Sequence, residues 1–247
     1  MQILLLGGTG PVGILFLRQA LERNHTVVVY ARSPDKIPLD LREHALVKVI
    51  RGSLEDTNLI RQAFSVEGGI DAVVSALGPP VTGFHPKDAP IARAYERVIE
   101  VMKEKGVKRI IVLGTASIAD DLDRFDLKFK AMVTTYANFF IFVPTQRYKP
   151  SQTSLTCIPS VATFAPYAYH DVIEIGRIFA TLANDDVDWT IARVPILTNS
   201  NQQHYRAGYI GEHTTGYTLS REGFGRFVLD ELVNKGWVKK RPMVSSV

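Results

Sequence analysis

The sequence holds one cysteine, Cys157, in 247 residues. That excludes an intrachain disulfide and any metal centre built on several thiolates, and it fits a reducing, cytoplasmic setting. Long apolar runs are also missing. A stretch such as FFIFV at 139–143 stops at Pro144, far short of the roughly 20 residues that a membrane span needs, so no membrane contact is expected. Met1 leads straight into an apolar stretch, with no basic leader and no small-residue cleavage motif, which is not the pattern of a secretion signal. The net charge is only +4, with 22% charged residues, and the basic run Lys239-Lys240-Arg241 stands alone near the C-terminus. Nucleic-acid binding requires a clustered basic stripe, so that run reads as solvated surface. The 6 histidines show no metal-ligand spacing. No Gly-x-Ser-x-Gly elbow occurs, which leaves serine hydrolysis without support. Nothing in the pattern signals an oligomer.

What is present is an alternation of short apolar runs and helical patterns. Residues 3–6, 27–30, 46–50, 72–76, 110–113 and 189–194 read as strands, and 11–23, 57–64, 91–105, 171–184 and 221–234 as helices. Pro11 suits a first helical turn, and Val12, Leu15, Phe16 and Ala20 recur at helical spacing. Gly106 is a stop signal for the third helix, and Ser220 a cap for the last. Strands that are apolar throughout and separated by helices imply a parallel sheet covered on both faces. The expected fold is therefore α/β, a doubly wound Rossmann sheet with right-handed crossovers, as one domain over 1–247. The rhythm breaks over 119–169, a stretch dense in aromatics from Phe125 and Phe129 to Tyr167 and Tyr169. Connections of that length are usually functional. This insert and residues 196–220 are read as a substrate-binding lid beyond the C-terminal ends of the strands.

The segment Gly7-Gly8-Thr9-Gly10-Pro11-Val12-Gly13 follows the first strand and opens the first helix. In that context Gly7 allows a tight turn, Gly10 lets backbone N–H groups approach a pyrophosphate, and Gly13 lets the helix pack close to the sheet. The helix N-terminus adds partial positive charge. An NAD-selective site wants an acidic residue at the end of the second strand. Here Tyr30-Ala31-Arg32-Ser33 offers no acid before Asp35. The guanidinium of Arg32 and the hydroxyl of Ser33 suit a 2′-phosphate, with Lys36 adding charge. The cofactor expected is NADP.

These stretches, followed in order by RGSLED, AVVSALG, GVKRIIVLGTAS, VDWTIARVPILTN and TLSREGFGRFVLDEL, resemble the atypical short-chain dehydrogenases with an NmrA-like NAD(P)H-binding domain. The branch they resemble most is the flavin reductase/biliverdin reductase B group. The resemblance covers nearly the whole chain and is weakest over 119–168. It implies that Gly7, Thr9, Gly10, Pro11 and Val12 hold the pyrophosphate and that Arg32, with Ser33 beside it, holds the 2′-phosphate. It implies that Ser53, where relatives often have Asp, flanks the adenine next to Leu54, and that Ala76, Leu77 and Gly78 lie along the ribose. Thr115, with Ser117 two residues on, would face the nicotinamide, and Val194, Pro195 and Ile196 would pass its amide. The biliverdin reductase branch has a histidine where this chain has Ile196, which argues against a tetrapyrrole substrate.

The usual catalytic pair of short-chain dehydrogenases, a tyrosine with a lysine four residues on, is absent at all 9 tyrosines. The segment Tyr169-His170-Asp171-Val172-Ile173-Glu174 stands where that pair is sought. His170 and Glu174 share a helical face, and a carboxylate beside an imidazole orients the ring and favours its protonated form. His170 is thus a candidate proton donor, with Tyr169 and Tyr167 as alternative hydroxyl donors. Asp171 and Glu174 read equally as a capping box at a helix start. His85, after the Gly78-Pro79-Pro80 turn, reads as a surface loop residue, and His204 and His213 fall in the stretch that closes the pocket in relatives. Together these features imply an NADPH-dependent reductase of a carbonyl or conjugated double bond in a mostly apolar small molecule, aromatic ones among the candidates. The alternatives are a non-redox isomerase, dehydratase or cyclase on the same fold, and a dinucleotide-sensing regulator.

Overall fold

The computed structural model describes residues 1–79, 85–131, 165–182, 187–212 and 214–247. The strands are β1 (Gln2–Leu6), β2 (Thr26–Ala31), β3 (Val47–Arg51), β4 (Ala72–Ser75), β5 (Arg109–Thr115), β6 (Asp188–Val194), β7 (Ile196–Thr198), β8 (Tyr205–Gly208), β9 (Thr218–Ser220) and β10 (Met243–Ser246). The helices are α1 (Pro11–Glu22), α2 (Leu39–Arg42), α3 (Thr57–Phe64), α4 (Pro90–Lys105), α5 (Ala165–Thr181) and α6 (Arg221–Asn234).

The main sheet has 8 strands in the order β3-β2-β1-β4-β5-β6-β10-β8. Every pairing in it is parallel except β10 with β8. The chain starts at β1 in the middle, winds outward to β3, returns to β4 beside β1 and then winds the other way. This is the expected doubly wound sheet, and its winding reverses between β1 and β4. A crevice opens at the carboxyl ends of the strands at such a point.

The inner strands are apolar throughout because both faces are buried. On β1, Leu4 and Leu6 join the core layer that holds Ile60 of α3, Tyr95 and Met102 of α4 and Phe179 of α5. Ile3 and Leu5 face the other layer, with Phe16 and Leu17 of α1 and Phe224, Phe227 and Val228 of α6. At about 1.5–3 kcal/mol for each fully buried large apolar side chain, these two layers dominate the stability of the fold.

Two parts of the architecture differ from the sequence expectation. Helix α5 begins at Ala165, six residues before the expected start at 171, and Pro166 occupies its first turn, where a missing N–H costs nothing. Asp171 is therefore mid-helix, and the capping-box reading of Asp171 and Glu174 is corrected. The sheet also continues past β6. β10 pairs with β6, and β8, from within the expected 196–220 lid, forms the edge, while β7 and β9 of the same stretch pair with each other. The serines of β10 hide its strand character, yet both are satisfied: Ser245 Oγ accepts from Gly216 N at 2.7 Å and Ser246 Oγ from Ser220 N at 3.0 Å.

Of the aromatic insert, Phe129 is buried and Phe125 is 77% exposed. Tyr136, Phe139, Phe140, Phe142, Tyr148 and Phe164 lie outside the described residues, as do Cys157 and His213. The described start of the insert is tied to β6 by Arg193, which is fully buried. Its Nη2 donates to Asp123 Oδ1 at 2.7 Å and its Nη1 to the carbonyl of Ile118 at 2.8 Å. Among the described residues, no helix is long and apolar enough to cross a membrane.

Candidate cofactor and substrate site

Beyond Leu6 the chain turns at Gly7, which has φ +77°. A Cβ there would lie 2.7 Å from the Ala76 carbonyl carbon, so the left-handed turn and the close approach of β4 both demand glycine. A Cβ on Gly13 would meet Gly7 O and, at 2.7 Å, Gly8 Cα. Gly8, to which the sequence reading assigned no part, is also crowded: its Cβ would press on the Val29 side chain, 2.6 Å from Cγ1. Gly10 is the exception. It is the N-cap of α1, and a Cβ there would find only Gly7 O, at 3.6 Å. The space over Gly10 is open, beside a helix N-terminus whose first N–H groups lack intrahelical partners, and a phosphate fits such a cradle. Pro11 begins the helix as an exposed residue, and Val12 is buried beneath it.

The first pocket is lined by Gly7, Thr9, Tyr30, Ala31, Arg32, Ser33, Lys36, Gly52, Leu54 and Leu77. Seven of these, Gly7, Thr9, Arg32, Ser33, Lys36, Leu54 and Leu77, are sequence-predicted. Tyr30, Ala31 and Gly52 were missed, although an aromatic ending the aliphatic run VVVY was a visible signal. The Tyr30 ring occupies the space that a Cβ on Gly52 would need, and its hydroxyl donates to the Ser53 carbonyl at 2.6 Å. Burial, with the Asp56 charge nearby, pushes its pKa up to about 12, so it remains a donor. Ser53 does not line the pocket. Its carbonyl takes the Tyr30 bond and its Oγ accepts from Glu55 N at 3.3 Å, so it shapes the turn.

The charge at this pocket is unbalanced. Arg32 and Lys36 are exposed and have no ion-pair partner among the described residues. Asp35 between them is turned to Arg51 at 2.7 Å and Arg42 at 3.4 Å. Two unpaired cations without a free carboxylate suit an anion.

The second pocket is lined by Leu77, Gly78, Pro79, Leu113, Gly114, Thr115, Val172 and Ile175. It lies at the ends of β4 and β5, against α5, and shares Leu77 with the first. Among its lining residues Thr115 alone has a polar side chain. Thr115 Oγ1 accepts from Ser117 N at 3.3 Å, which leaves its own proton free to donate. Ser117 forms the turn behind it and does not line the pocket. Val194 stands beside Thr115 in the β5–β6 register, Pro195 follows, and Ile196 opens β7. Like Ala76, which continues the β1–β4 pairing by donating to Leu6 O at 2.9 Å, these residues border the crevice without lining either pocket.

The histidines exchange roles. His170 Nε2 lies 3.4 Å from Glu174 Oε1, as the spacing predicts, but its side chain is 54% exposed, and Glu174 is also paired with Arg177 at 2.5 Å. His170, Glu174 and Arg177 share one face of α5, whereas the pocket residues Val172 and Ile175 occupy another. The structure thus keeps His170 and Glu174 out of both pockets. Tyr169 is also exposed. His85, expected at the surface, is 3% exposed, and its Nε2 meets the fully buried Asp171 at 2.8 Å. Among the described residues no cluster of potential metal ligands occurs.

Solved structures share this architecture. A short-chain dehydrogenase/reductase from Veillonella parvula is 17% identical, with a TM-score of 0.69 over 99% of this chain and 94% of its own. Its complex with NADP gives a TM-score of 0.67 at 17% identity, over 99% and 94% of the two chains. An oxidoreductase from Lactococcus lactis, 14% identical, gives 0.66 over 100% of this chain and 91% of its own. At these identities the likeness is one of fold. No curated protein matches the chain. A family model for NAD(P)H binding matches residues 7–235, from the glycine turn to the end of α6, and the chain belongs to that NAD(P)H-binding family.

Proposed function

We propose that the protein is an NADPH-dependent reductase of a carbonyl or conjugated double bond in a small, mostly apolar molecule. The observation that carries this reading is the pair of pockets joined at Leu77, one rimmed by unpaired cations and the other apolar with a single hydroxyl. In this reading the backbone of Gly7, Thr9, Gly10, Pro11 and Val12 cradles the pyrophosphate at the start of α1. Arg32, Ser33 and Lys36 take the 2′-phosphate. Tyr30, Gly52 and Leu54 border the adenosine, and Leu77 and Gly78 lead to the nicotinamide end. NADPH bound there supplies a hydride.

The remaining work falls to the second pocket. Leu77, Pro79, Leu113, Val172 and Ile175 select an apolar substrate. The Thr115 hydroxyl, held by the Ser117 N–H, donates a hydrogen bond to an oxygen on which charge develops. A threonine hydroxyl is too weak an acid to give up its proton at neutral pH, so in this reading solvent delivers it. Tyr95, the tyrosine under this region, is committed to Ser75 at 2.7 Å, and burial raises its pKa well above the usual phenol value.

The test is calorimetric titration with NADPH and NADH, followed by the near-ultraviolet absorbance of NADPH in the presence of a quinone, a flavin, an enone and an aromatic ketone. NADPH should bind at least about 10-fold tighter than NADH and be oxidised by one or more acceptors. Tight NADPH binding with no oxidation by any of them would overturn the reductase reading.

A further inference from the structure

Asp171 has no task in the reductase reading, yet it is fully buried in the middle of α5 and bonded to three groups from outside that helix. Its Oδ1 accepts from Ala92 N at 2.8 Å, and its Oδ2 from Ile91 N at 3.0 Å. The same Oδ2 lies 2.8 Å from His85 Nε2. Helix α4 needs this partner. Its N-cap is Ala89, at φ +47°, which offers no side-chain cap, so a carboxylate from a neighbouring helix satisfies two first-turn N–H groups and places negative charge at the positive end of the helix. The His85 tautomer with its proton on Nε2 is the one that can donate to the same carboxylate.

The neighbours of this cluster form the second pocket. Val172, next to Asp171, lines it from α5, and Pro79, six residues before His85, lines it from the β4 side. A further bond holds the β4 side. Tyr95, one turn after Ala92 on α4, bonds Ser75 Oγ at 2.7 Å, and that Oγ accepts from Leu77 N at 3.3 Å. The N-terminal half of α4 therefore anchors the Leu77 wall through Tyr95 and the α5 wall through Asp171, and His85 bonds the same carboxylate.

We propose that the His85–Asp171 pair is a positioning unit for the nicotinamide end of the dinucleotide, setting the separation of the two walls between which that end lies. The identity of the ligand rests on the reductase reading, whereas the clamp itself does not. Neither residue lines the pocket, so the pair acts through Val172 and the Leu77–Pro79 wall.

The experiment compares His85→Leu, which cannot donate, with His85→Gln, whose amide nitrogen can reach Asp171 much as Nε2 does. If the Leu variant does not fold, His85→Asn, too short to reach, replaces it. Affinities are measured for NADP⁺ and for adenosine 2′,5′-bisphosphate, which lacks the nicotinamide, and hydrogen exchange is followed at the Leu77, Ile91 and Ala92 amides of the ligand-free protein. His85→Leu should weaken NADP⁺ by up to about 10-fold, the scale of one lost hydrogen bond, with bisphosphate affinity unchanged, and should speed exchange at those amides. His85→Gln should restore both. Unchanged NADP⁺ affinity, an equal loss of both ligands, or a Gln variant no better than Leu overturns the proposal. A wild-type protein that binds neither ligand refutes the cofactor reading, and exchange then decides the clamp alone: faster exchange reversed by Gln supports it, and unaltered protection overturns it.

Discussion

Replacing Arg32 with alanine separates a 2′-phosphate site from a mere surface charge. Arg32 is exposed and has no ion-pair partner among the described residues, so its removal orphans no buried group, and the folding stability should stay within about 0.5 kcal/mol of wild type. Binding is a different matter. A hydrogen bond to a charged group contributes about 1.5–3 kcal/mol, which corresponds to roughly 10- to 150-fold in affinity. Two features favour the lower end. The guanidinium is exposed at a rim where salt screens over about 8 Å, and Lys36 remains on the same rim to supply part of the attraction. The expected loss is about 10- to 30-fold for NADPH, with NADH unchanged, because NADH has no 2′-phosphate. The double change Arg32→Ala, Lys36→Ala should remove most of the remaining preference. Calorimetric titration of both cofactors at low and high salt is the assay, and the wild-type preference should shrink at high salt. Equal losses for NADPH and NADH would falsify the assignment, because Asp35 is already committed to Arg42 and Arg51 and offers no alternative reading of the rim.

The glycine turn yields a paired contrast. Gly13→Ala must displace backbone and should destabilise the protein by about 1–3 kcal/mol or more, whereas Gly10→Ala should leave the melting temperature near wild type and weaken dinucleotide binding; equal melting temperatures for the two variants would contradict the packing described. His170→Ala should leave NADPH affinity, stability and turnover unchanged, and a fall in turnover alone would show that His170 reaches the reacting atoms after all. Asp230 accepts from Arg23 at 2.8 Å, Arg226 at 3.0 Å and Tyr205 at 3.1 Å. Burial opposes its ionisation, but those hydrogen bonds outweigh burial and hold its pKa below the usual carboxylate value. The stability it contributes is therefore present above the unfolded carboxylate pKa, about 4, and is lost as the pH falls through the lower folded value. Asp230→Asn should lower stability at neutral pH and make the acid side of the stability profile shallower, as read by urea unfolding across pH; an unaltered acid side would count against it.

The glycine turn was legible because its constraints are local: a strand end, a left-handed turn and a helix start lie within a few residues. The cationic rim was legible in part. Arg32, Ser33 and Lys36 could be read from the chain, but the removal of Asp35 required Arg42 and Arg51 to arrive from α2 and β3. The pair at His170 and Glu174 was visible as an i, i+4 spacing, and the structure contains it, but spacing does not say which face of a helix is buried. That was settled by Val172 and Ile175 packing at the ends of β4 and β5. His85 and Asp171, 86 residues apart, left no local signal. The serines of β10 disguised a strand whose side-chain oxygens are satisfied by the amides of Gly216 and Ser220, from a distant stretch of the chain.

The amino-acid sequence by itself determined the inner parallel strands, the glycine turn at the start of α1 and the lack of an acidic residue at the end of β2. Hydrophobic period, backbone sterics and residue charge act over a few positions and need no partner from elsewhere. Only the tertiary structure decided which carboxylate–imidazole pair is buried, which hydroxyl stands in the apolar pocket and where the sheet ends. Each of those depends on groups that the winding of the chain brings together from distant segments, and burial and hydrogen-bond satisfaction are properties of that assembled environment.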